Sequence, residues 1–365
     1  MNPADDIILK DAARVVLLQP AFLGDVVLST ALMESWHRCY PRHRLEVVVR
    51  KEAMGFFTGH PFLDHVHVWD RQGWGKYPRL SALSKQVRRR NPDVVINLHR
   101  HPSMALLADR SGAQYRFGFR ESAKWYNRQI RSAPHNFGDG RHETQRNHEL
   151  VEVCLGRWNA EDDVAKLHPT ENDRLAASKW PSDGLVLAPS SVWTTKRWPA
   201  EQWSALADGW SRIAPDSPVI LLGSASDRPL LEAVKKGCRE ARPCVIAGAL
   251  DLLGSAALMR LSRLVVSNDS APLHMAGAVG TPVVGVFCST TPRYGFGPMP
   301  SMMDTRKAAV VEVPEAALRC KPCGPHGHAK CPLGHFSCGR DLNFERVLAA
   351  AVKVSSPLPE SPSPW

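Results

Sequence analysis

Four groups of residues in this 365-residue chain have the types and spacing to do chemistry. The first is Pro20 to Thr30, PAFLGDVVLST, placed between a short apolar run and a helical pattern. Gly24 lets the backbone turn closely, and Asp25 could either cap the helix or take a proton from a bound hydroxyl. The second is Leu187 to Trp203, LAPSSVWTTKRWPAEQW. Ser190 and Ser191 could donate to phosphate oxygens and Lys196 could neutralise a diphosphate, with a solvated surface turn as the equal alternative for this segment alone. The third is Leu264 to Phe287, LVVSNDSAPLHMAGAVGTPVVGVF, which reads as strand, polar turn, helix and strand. Amides near Ser270, Ala271 and Leu273 at that helix start suit a diphosphate. Asp269 would repel phosphate and so suits sugar hydroxyls or a helix cap, and His274, one turn in, either reaches the ligand or is a satisfied, partly buried histidine. The fourth is Cys320-Lys-Pro-Cys323 followed by Cys331 and Cys338, with His326, His328 and His335 interspersed. Four thiols so spaced in a reduced compartment suit a tetrahedral structural site for zinc or iron, the alternatives being free thiols or a disulfide pair.

These groups need elements to hold them. Arg14 to Gln19, Leu45 to Val49, His65 to Trp69 and Val94 to Leu98 are short apolar runs that read as strands, with helical patterns over Gly24 to Tyr40, Glu52 to Gly59 and Leu80 to Arg89. Continuously apolar strands alternating with helices imply a parallel sheet covered on both faces. Gln114 to Asn147, rich in Arg, Gly and aromatic residues, reads as a substrate-contacting loop region, and Glu161 to Asp183 as a linker. The alternation then restarts. Strands are expected at Leu185 to Ala188, Val219 to Leu222, Cys244 to Ala247, Leu264 to Ser267 and Pro282 to Phe287, and helices at Ala200 to Ile213, Pro229 to Arg239, Leu253 to Ser262 and Ala271 to Ala278. The expected division is an N-terminal domain over 1–175, a C-terminal domain over 176–348 carrying the cysteines, and a disordered Pro/Ser-rich tail over 355–365.

The composition excludes several classes. No apolar run reaches the length that spans a bilayer, and the start of the chain, with Asp5 and Asp6, does not read as a secretory signal, so the expected compartment is the cytoplasm. The first loop lacks GxGxxG, which argues against a dinucleotide-dependent oxidoreductase. The net charge of +10 suits nucleic acid, an anionic membrane face or a phosphorylated substrate. Between Ala82 and His148 thirteen Lys and Arg stand against five Asp and Glu, a surplus that as a cluster points to an anionic partner. No RNA- or DNA-binding motif accompanies it, so a basic nucleic-acid-binding module is kept only as the reading from another class. His99 and Arg100, just after the Val94 to Leu98 run, and Arg120 in the basic stretch are the best-placed residues for an anionic acceptor, since arginine offers two parallel hydrogen bonds to such a group.

GDVVLSTAL, TKRWPAEQW and SNDSAPLHMAGAVGTPVVGVF, in that order and spacing over nearly the whole chain, resemble the bacterial ADP-heptose:lipopolysaccharide heptosyltransferase family. That resemblance implies a GT-B architecture, two Rossmann-like α/β domains facing a central cleft, with the acceptor mostly N-terminal and the nucleotide sugar mostly C-terminal. It implies that Asp25 is the general base, that Lys196 contacts phosphate, and that Asp269 stands near the donor sugar. Ser270, Ala271, Pro272, Leu273 and His274 then occupy the donor-binding turn. Asp227 resembles the family's acidic residue near the ribose, although SASD here departs from the commoner glutamate form. The implied reaction is an inverting transfer of heptose from ADP-heptose to a lipopolysaccharide inner-core acceptor at the inner face of the cytoplasmic membrane, without a catalytic metal. Similar C-terminal cysteines occur in part of the family, and the protein-modifying autotransporter heptosyltransferases have an iron site of this kind, so a polypeptide acceptor stays open as the alternative.

Overall fold

The computed structural model describes residues 7–70, 75–123, 131–156, 158 and 164–355. It divides into two compact units, Met1–Thr170 and Glu171–Trp365. In the first, the described strands are β1 (Arg14–Leu18), β2 (Arg44–Arg50), β3 (Leu63–Trp69), β4 (Val94–Asn97), β5 (Tyr115–Phe119) and β6 (Arg131–Ala133). Helices α1 (Leu23–Cys39), α2 (Lys76–Arg89), α3 (Pro102–Arg110), α4 (Arg120–Ala123) and α5 (Glu143–Leu155) connect or follow them. All pairings are parallel, in the order β3-β2-β1-β4-β5-β6.

The second unit repeats the plan. Its strands are β7 (Leu185–Ala188), β8 (Val219–Gly223), β9 (Cys244–Ala247), β10 (Leu264–Asn268), β11 (Val283–Phe287) and β12 (Ala308–Glu312), in the parallel order β12-β11-β10-β7-β8-β9. Its helices are α6 (Glu171–Ala177), α7 (Ala200–Ile213), α8 (Arg228–Gly237), α9 (Leu252–Arg260), α10 (Ala271–Ala278), α11 (Pro300–Asp304), α12 (Ser337–Arg340) and α13 (Phe344–Ser355). Both sheets therefore have the doubly wound order, with the direction of winding reversing between β1 and β4 and between β7 and β10.

Burial explains the strand composition. Val15 to Leu18, Val94 to Ile96 and Leu264 to Val266 are fully buried, as strands covered on both faces must be. In the first unit Val16, Leu18, Val48 and Val95 pack with Met104 and Leu107 of α3. In the second, Trp198, Trp203 and Trp210 anchor a core with Leu187, Val266 and Val286. Among the described residues no helix is long and apolar enough to cross a membrane.

Three expectations are corrected. The stretch from Gln114 to Asn147 contains β5, β6, α4 and the start of α5, not loop alone; residues 124–130 lie outside the described set. The break between units falls after Thr170, not at 175, because Glu171–Ala177 is helical and packs on α9. Ser355 still belongs to α13, and the remainder of the expected tail lies outside the described residues.

The basic surplus is also partly consumed internally. Glu46, fully buried on β2, pairs with Arg14, with Arg90 at 2.6 Å and with His67 at 2.8 Å. Burial alone would raise its carboxyl, but those three partners bring it down to about 2. Arg116 pairs with Asp109 at 3.3 Å, and Arg146 with Glu143 and Asp139 at 3.0 Å each.

Candidate active site

In a doubly wound sheet, ligands bind outside the carboxyl ends of the strands where the winding reverses. In the first unit this is the space beyond β1 and β4, which is where the chain delivers Asp25, His99 and Arg100. Asp25 lies half-buried in the first turn of α1, whose N-cap is Phe22. It stands inside the helix, not at the N-cap position, and its charge suits the positive end of the helix dipole. The turn is braced by Arg50 at the end of β2, whose Nε donates to Pro20 O at 2.6 Å and whose guanidinium lies 5.3 Å from the Phe22 ring centre.

Arg100 is half-buried with its guanidinium 4.1 Å over the Phe137 ring. Burial holds it below the ordinary arginine value, while the carboxylates of Glu143, Asp25 and Glu121 oppose that shift. It remains a cation, directed among acidic groups that include the candidate base. His99 is oriented by its neighbours: its amide donates to Asn97 Oδ1 at 3.0 Å, and its Nδ1 accepts the His101 amide at 3.2 Å. Pro20, Arg50, Trp69, His99, His101 and Ser103 line a small depression over these strand ends. Arg120, the first residue of α4 at the end of β5, is exposed and is not drawn into this group by any described contact.

Sequence reasoning missed the support behind Arg100. Glu143, buried at the start of α5, accepts from His135 Nε2 and from Arg146, both at 3.0 Å, and Arg146 also stands 5.9 Å from the Phe137 ring centre. Burial raises Glu143, and His135 and Arg146 outweigh it, leaving the carboxyl below its ordinary value. The only trace in the sequence is the density of charged and aromatic residues that suggested a contacting loop.

In the second unit the reversal lies between β7 and β10. Beyond β7 come Ser190 and Ser191, then a 3₁₀ turn over Thr194–Lys196. Beyond β10 come Asp269 and Ser270 and then α10. Lys196 Nζ lies 2.6 Å from Asp269 Oδ2, with the two side chains only 12% and 7% exposed. Thr290, after β11, donates to the same oxygen at 2.6 Å. Asp269 is therefore committed to a cation and a hydroxyl and does not cap α10, whose N-cap is Ser270.

Asn268 was not foreseen. Its Oδ1 accepts the Trp198 amide at 3.1 Å and its Nδ2 donates to Pro189 O at 2.6 Å, which stitches the two strand-end loops together. The Ser190 hydroxyl is buried without a partner among the described residues, as suits a group that meets a ligand. Of the helix-start amides, Leu273 donates to Ser270 O at 3.0 Å and Pro272 has none, which reduces the expected set. Ala271 and Pro272 are half-buried, and Leu273 and His274 are buried. Asp227 stands after β8, where its Oδ2 accepts from the Ser224 amide at 2.8 Å and from the Ser224 hydroxyl at 2.5 Å. One of its oxygens is thus used to hold its own turn.

The cysteine-rich loop buttresses the lysine. Thr195 exchanges hydrogen bonds with His328, its amide to His328 O at 3.1 Å and its Oγ1 from the His328 amide at 2.8 Å. Cys323 N donates to Ser289 O at 2.9 Å, and Ser289 Oγ donates to Thr195 Oγ1 at 3.0 Å. Any Cβ at Gly327 would meet Trp193 Cβ at 2.7 Å and Lys196 Cγ at 3.0 Å, so only glycine allows this approach. The buried Lys321 ammonium holds the loop's start through Glu312 at 2.6 Å, Val313 O and Phe287 O.

The donor set fits a metal chemically and less well geometrically. Burial raises the Cys331 thiol, yet the amides of Phe336, Leu333, Gly334 and His335 bring it below the usual thiol value, as in a turn that favours thiolate. Burial pushes Cys338 up to about 12, with the other three thiols adding and Lys321 opposing. Cys320 Sγ lies 3.7 Å from His335 Nε2. The four sulfurs do not converge to ligating separation; among the described residues the one set of three such ligand atoms within 4.8 Å of one another is Glu34, His60 and His168.

Residues 80–316 match the sequence model of glycosyltransferase family 9 (heptosyltransferase). Lipopolysaccharide heptosyltransferase 3 of Escherichia coli K12 is 25% identical over 283 residues, covering 73% of this chain and 80% of its own. The glycosyltransferase family 9 structure from Veillonella parvula superposes with a TM-score of 0.82 at 22% identity, covering 96% of this chain and 99% of that one. The E. coli ADP-heptose lipopolysaccharide heptosyltransferase II structure does so with a TM-score of 0.71 at 17% identity, covering 94% and 98%. The two six-stranded parallel sheets are thus those of the GT-B fold, and the chain is a glycosyltransferase that belongs to family 9, the heptosyltransferases.

Proposed function

We propose that this enzyme transfers heptose from ADP-heptose to a lipopolysaccharide inner-core acceptor with inversion at the anomeric carbon. Beyond family membership, the observation that supports this reading is positional: Asp25, His99 and Arg100 in the first unit and Lys196 and Asp269 in the second all follow strands next to the reversal of their sheet, where ligands bind in doubly wound folds. Asp25 takes the proton from an acceptor hydroxyl as that oxygen attacks the anomeric carbon, and the bond to ADP breaks on the opposite face. Negative charge grows on the leaving diphosphate, where Lys196, Ser190 and the start of α10 stabilise the transition state more than the ground state. Asp269 holds the Lys196 ammonium in place until the donor arrives, then serves the sugar hydroxyls. Ser191, Asp227, Ser270, Ala271, Pro272, Leu273 and His274 complete the donor side, and His99, Arg100 and Arg120 the acceptor side. No catalytic metal enters this scheme.

Cys320, Cys323, Cys331 and Cys338 are proposed to hold a structural zinc or iron that stiffens the loop behind Thr195. The exposed Arg88, Arg89, Arg110 and Arg120 suit peripheral contact with the anionic inner face of the cytoplasmic membrane. Nucleic acid is not a partner in this reading, since no RNA- or DNA-binding motif accompanies the basic surplus.

The test is to offer several nucleotide sugars with a truncated lipopolysaccharide core and to measure released nucleotide and glycosylated product. ADP release with ADP-heptose and heptose on the glycolipid are expected. Asp25→Asn should keep donor binding and lose about 10²- to 10⁴-fold in transfer, the usual worth of a positioned base. Equal turnover would remove Asp25 from that role, and transfer to a polypeptide serine in place of the glycolipid would reassign the acceptor.

A further inference from the structure

A second cluster of ligand-type side chains lies in the first unit, away from the strand ends. Glu34 is nine residues beyond Asp25 on α1, about 14 Å along the helix at the standard rise. His60 follows the 3₁₀ turn Lys51–Phe57, and His168 lies in the segment that ends the unit at Thr170. One ligand atom from each of the three lies within 4.8 Å of the other two.

The backbone is built for this approach. Gly59 has φ +66°, and a Cβ there would come within 2.8 Å of Thr170 Cγ2. Glycine thus lets the turn press onto the 168–170 segment and sets His60 beside His168. Their rings meet edge to face at 4.8 Å, and Phe62 walls the site by packing on the edge of His60 at 4.5 Å and stacking on His37 at 4.1 Å.

Two of the three groups account for each other. Glu34 Oε1 and His168 Nε2 are 2.7 Å apart. His60 is different: both of its ring nitrogens are buried and neither has a hydrogen-bond partner among the described residues. Buried polar atoms are rarely left so, and an unpaired one calls for an explanation.

We propose that Glu34, His60 and His168 bind one divalent transition-metal ion, with zinc the best match for two imidazoles and a carboxylate. The three protein ligands leave a fourth position to water, and the ion clasps the 164–170 segment to α1. At zinc–ligand bonds of about 2.0–2.1 Å, tetrahedral donors stand roughly 3.3 Å apart, so Glu34 and His168 part by about 0.6 Å to admit it. Lys166, whose ammonium is 4.0 Å from Glu34 and whose side chain is 53% exposed, turns into solvent as the cation enters.

The experiment uses the full chain without an affinity tag, stripped with chelator and kept reduced. It is titrated with zinc against a competing chelator, and in parallel with cobalt, whose spectrum separates thiolate from nitrogen and oxygen ligation. Because the cysteine loop can also take zinc, His60→Ala, His168→Gln, Glu34→Gln and Cys323→Ser are compared, with circular dichroism to show that each is folded. One equivalent without thiolate bands is expected in Cys323→Ser, and in the parent it stands beside whatever the cysteine loop binds with thiolate bands. In His60→Ala and His168→Gln its affinity should fall by more than the roughly 10- to 100-fold that loss of an outer partner causes. Glu34→Gln, which keeps a neutral acceptor, should weaken it less. Zinc affinity unchanged in the two histidine variants, or binding abolished entirely by Cys323→Ser, overturns the proposal.

Discussion

Lys196→Ala separates a structural from a catalytic use of the same ammonium. The pair it forms with Asp269 is 2.6 Å long and almost wholly enclosed, and Thr290 is the other described donor to that carboxylate oxygen. Removing one side of a buried pair costs about 3–5 kcal/mol, because the partner charge stays behind. The Thr290 hydroxyl and the slight exposure of the lysine place the expectation at the lower end, about 3 kcal/mol. For a unit of this size each 1 kcal/mol moves the midpoint by about 2–4 °C, so its transition should fall by roughly 6–12 °C. Adding Asp269→Asn removes the orphaned charge and should restore most of that loss. Donor affinity should not return with it: losing a charge-assisted hydrogen bond to phosphate, about 1.5–3 kcal/mol, weakens ADP binding by roughly 10- to 150-fold. Scanning calorimetry gives the first quantity, and ADP titration with steady-state rates gives the second. If Lys196→Ala melts and binds ADP as the parent does, Lys196 is a solvated turn residue. If the double variant regains no stability, the loss does not come from a buried charge.

Arg100→Ala should raise the acceptor Michaelis constant and leave that for the nucleotide sugar nearly unchanged, with Arg120→Ala behaving in the same direction but more weakly because its side chain is exposed; selective loss of donor binding in either variant would contradict the assignment of acceptor to the first unit. Acid should destabilise the first unit through Glu46. Its folded value lies near 2 against an ordinary 4.5, so the stabilisation is complete above pH 4.5 and is lost as pH falls from there towards 2. It is worth at most roughly 3 kcal/mol at 1.36 kcal/mol per pH unit. Urea midpoints measured across that range should show the decline in the parent and a flatter curve in Glu46→Gln. Protein isolated reduced and without chelator should carry about one zinc or iron on the cysteine loop; Cys323→Ser should release it and lower thermal stability more than the rate per folded molecule, and a metal-free parent would leave four ordinary thiols.

Local pattern alone was enough to read the strands that are buried on both faces. RVVLL, VVIN, LVLA and LVVSN are largely apolar runs because central parallel strands have no solvent face, and α7, β9 and α10 fall on their expected bounds. Where burial is uneven the pattern fades: β5 alternates, β6 is three residues long, β12 is an edge strand buried only at Ala308 and Val311, and α5 carries buried charge in Glu143 and Arg146, so these elements were not legible.

The site divides in the same way. By itself the sequence determined which side chains follow which strand, because loop position is a local property: Asp25 after β1, Arg100 after β4, Ser190 after β7 and Asp269 after β10. Only the tertiary structure decided that Lys196 meets Asp269 across 73 positions of chain, that Asn268 ties the loops after β7 and β10, and that Arg100 rests on Phe137 beside Glu143 and Asp25. These contacts arise from the strand order. β7 and β10 are neighbours in the sheet though far apart in sequence, and no local periodicity encodes which strands will pair.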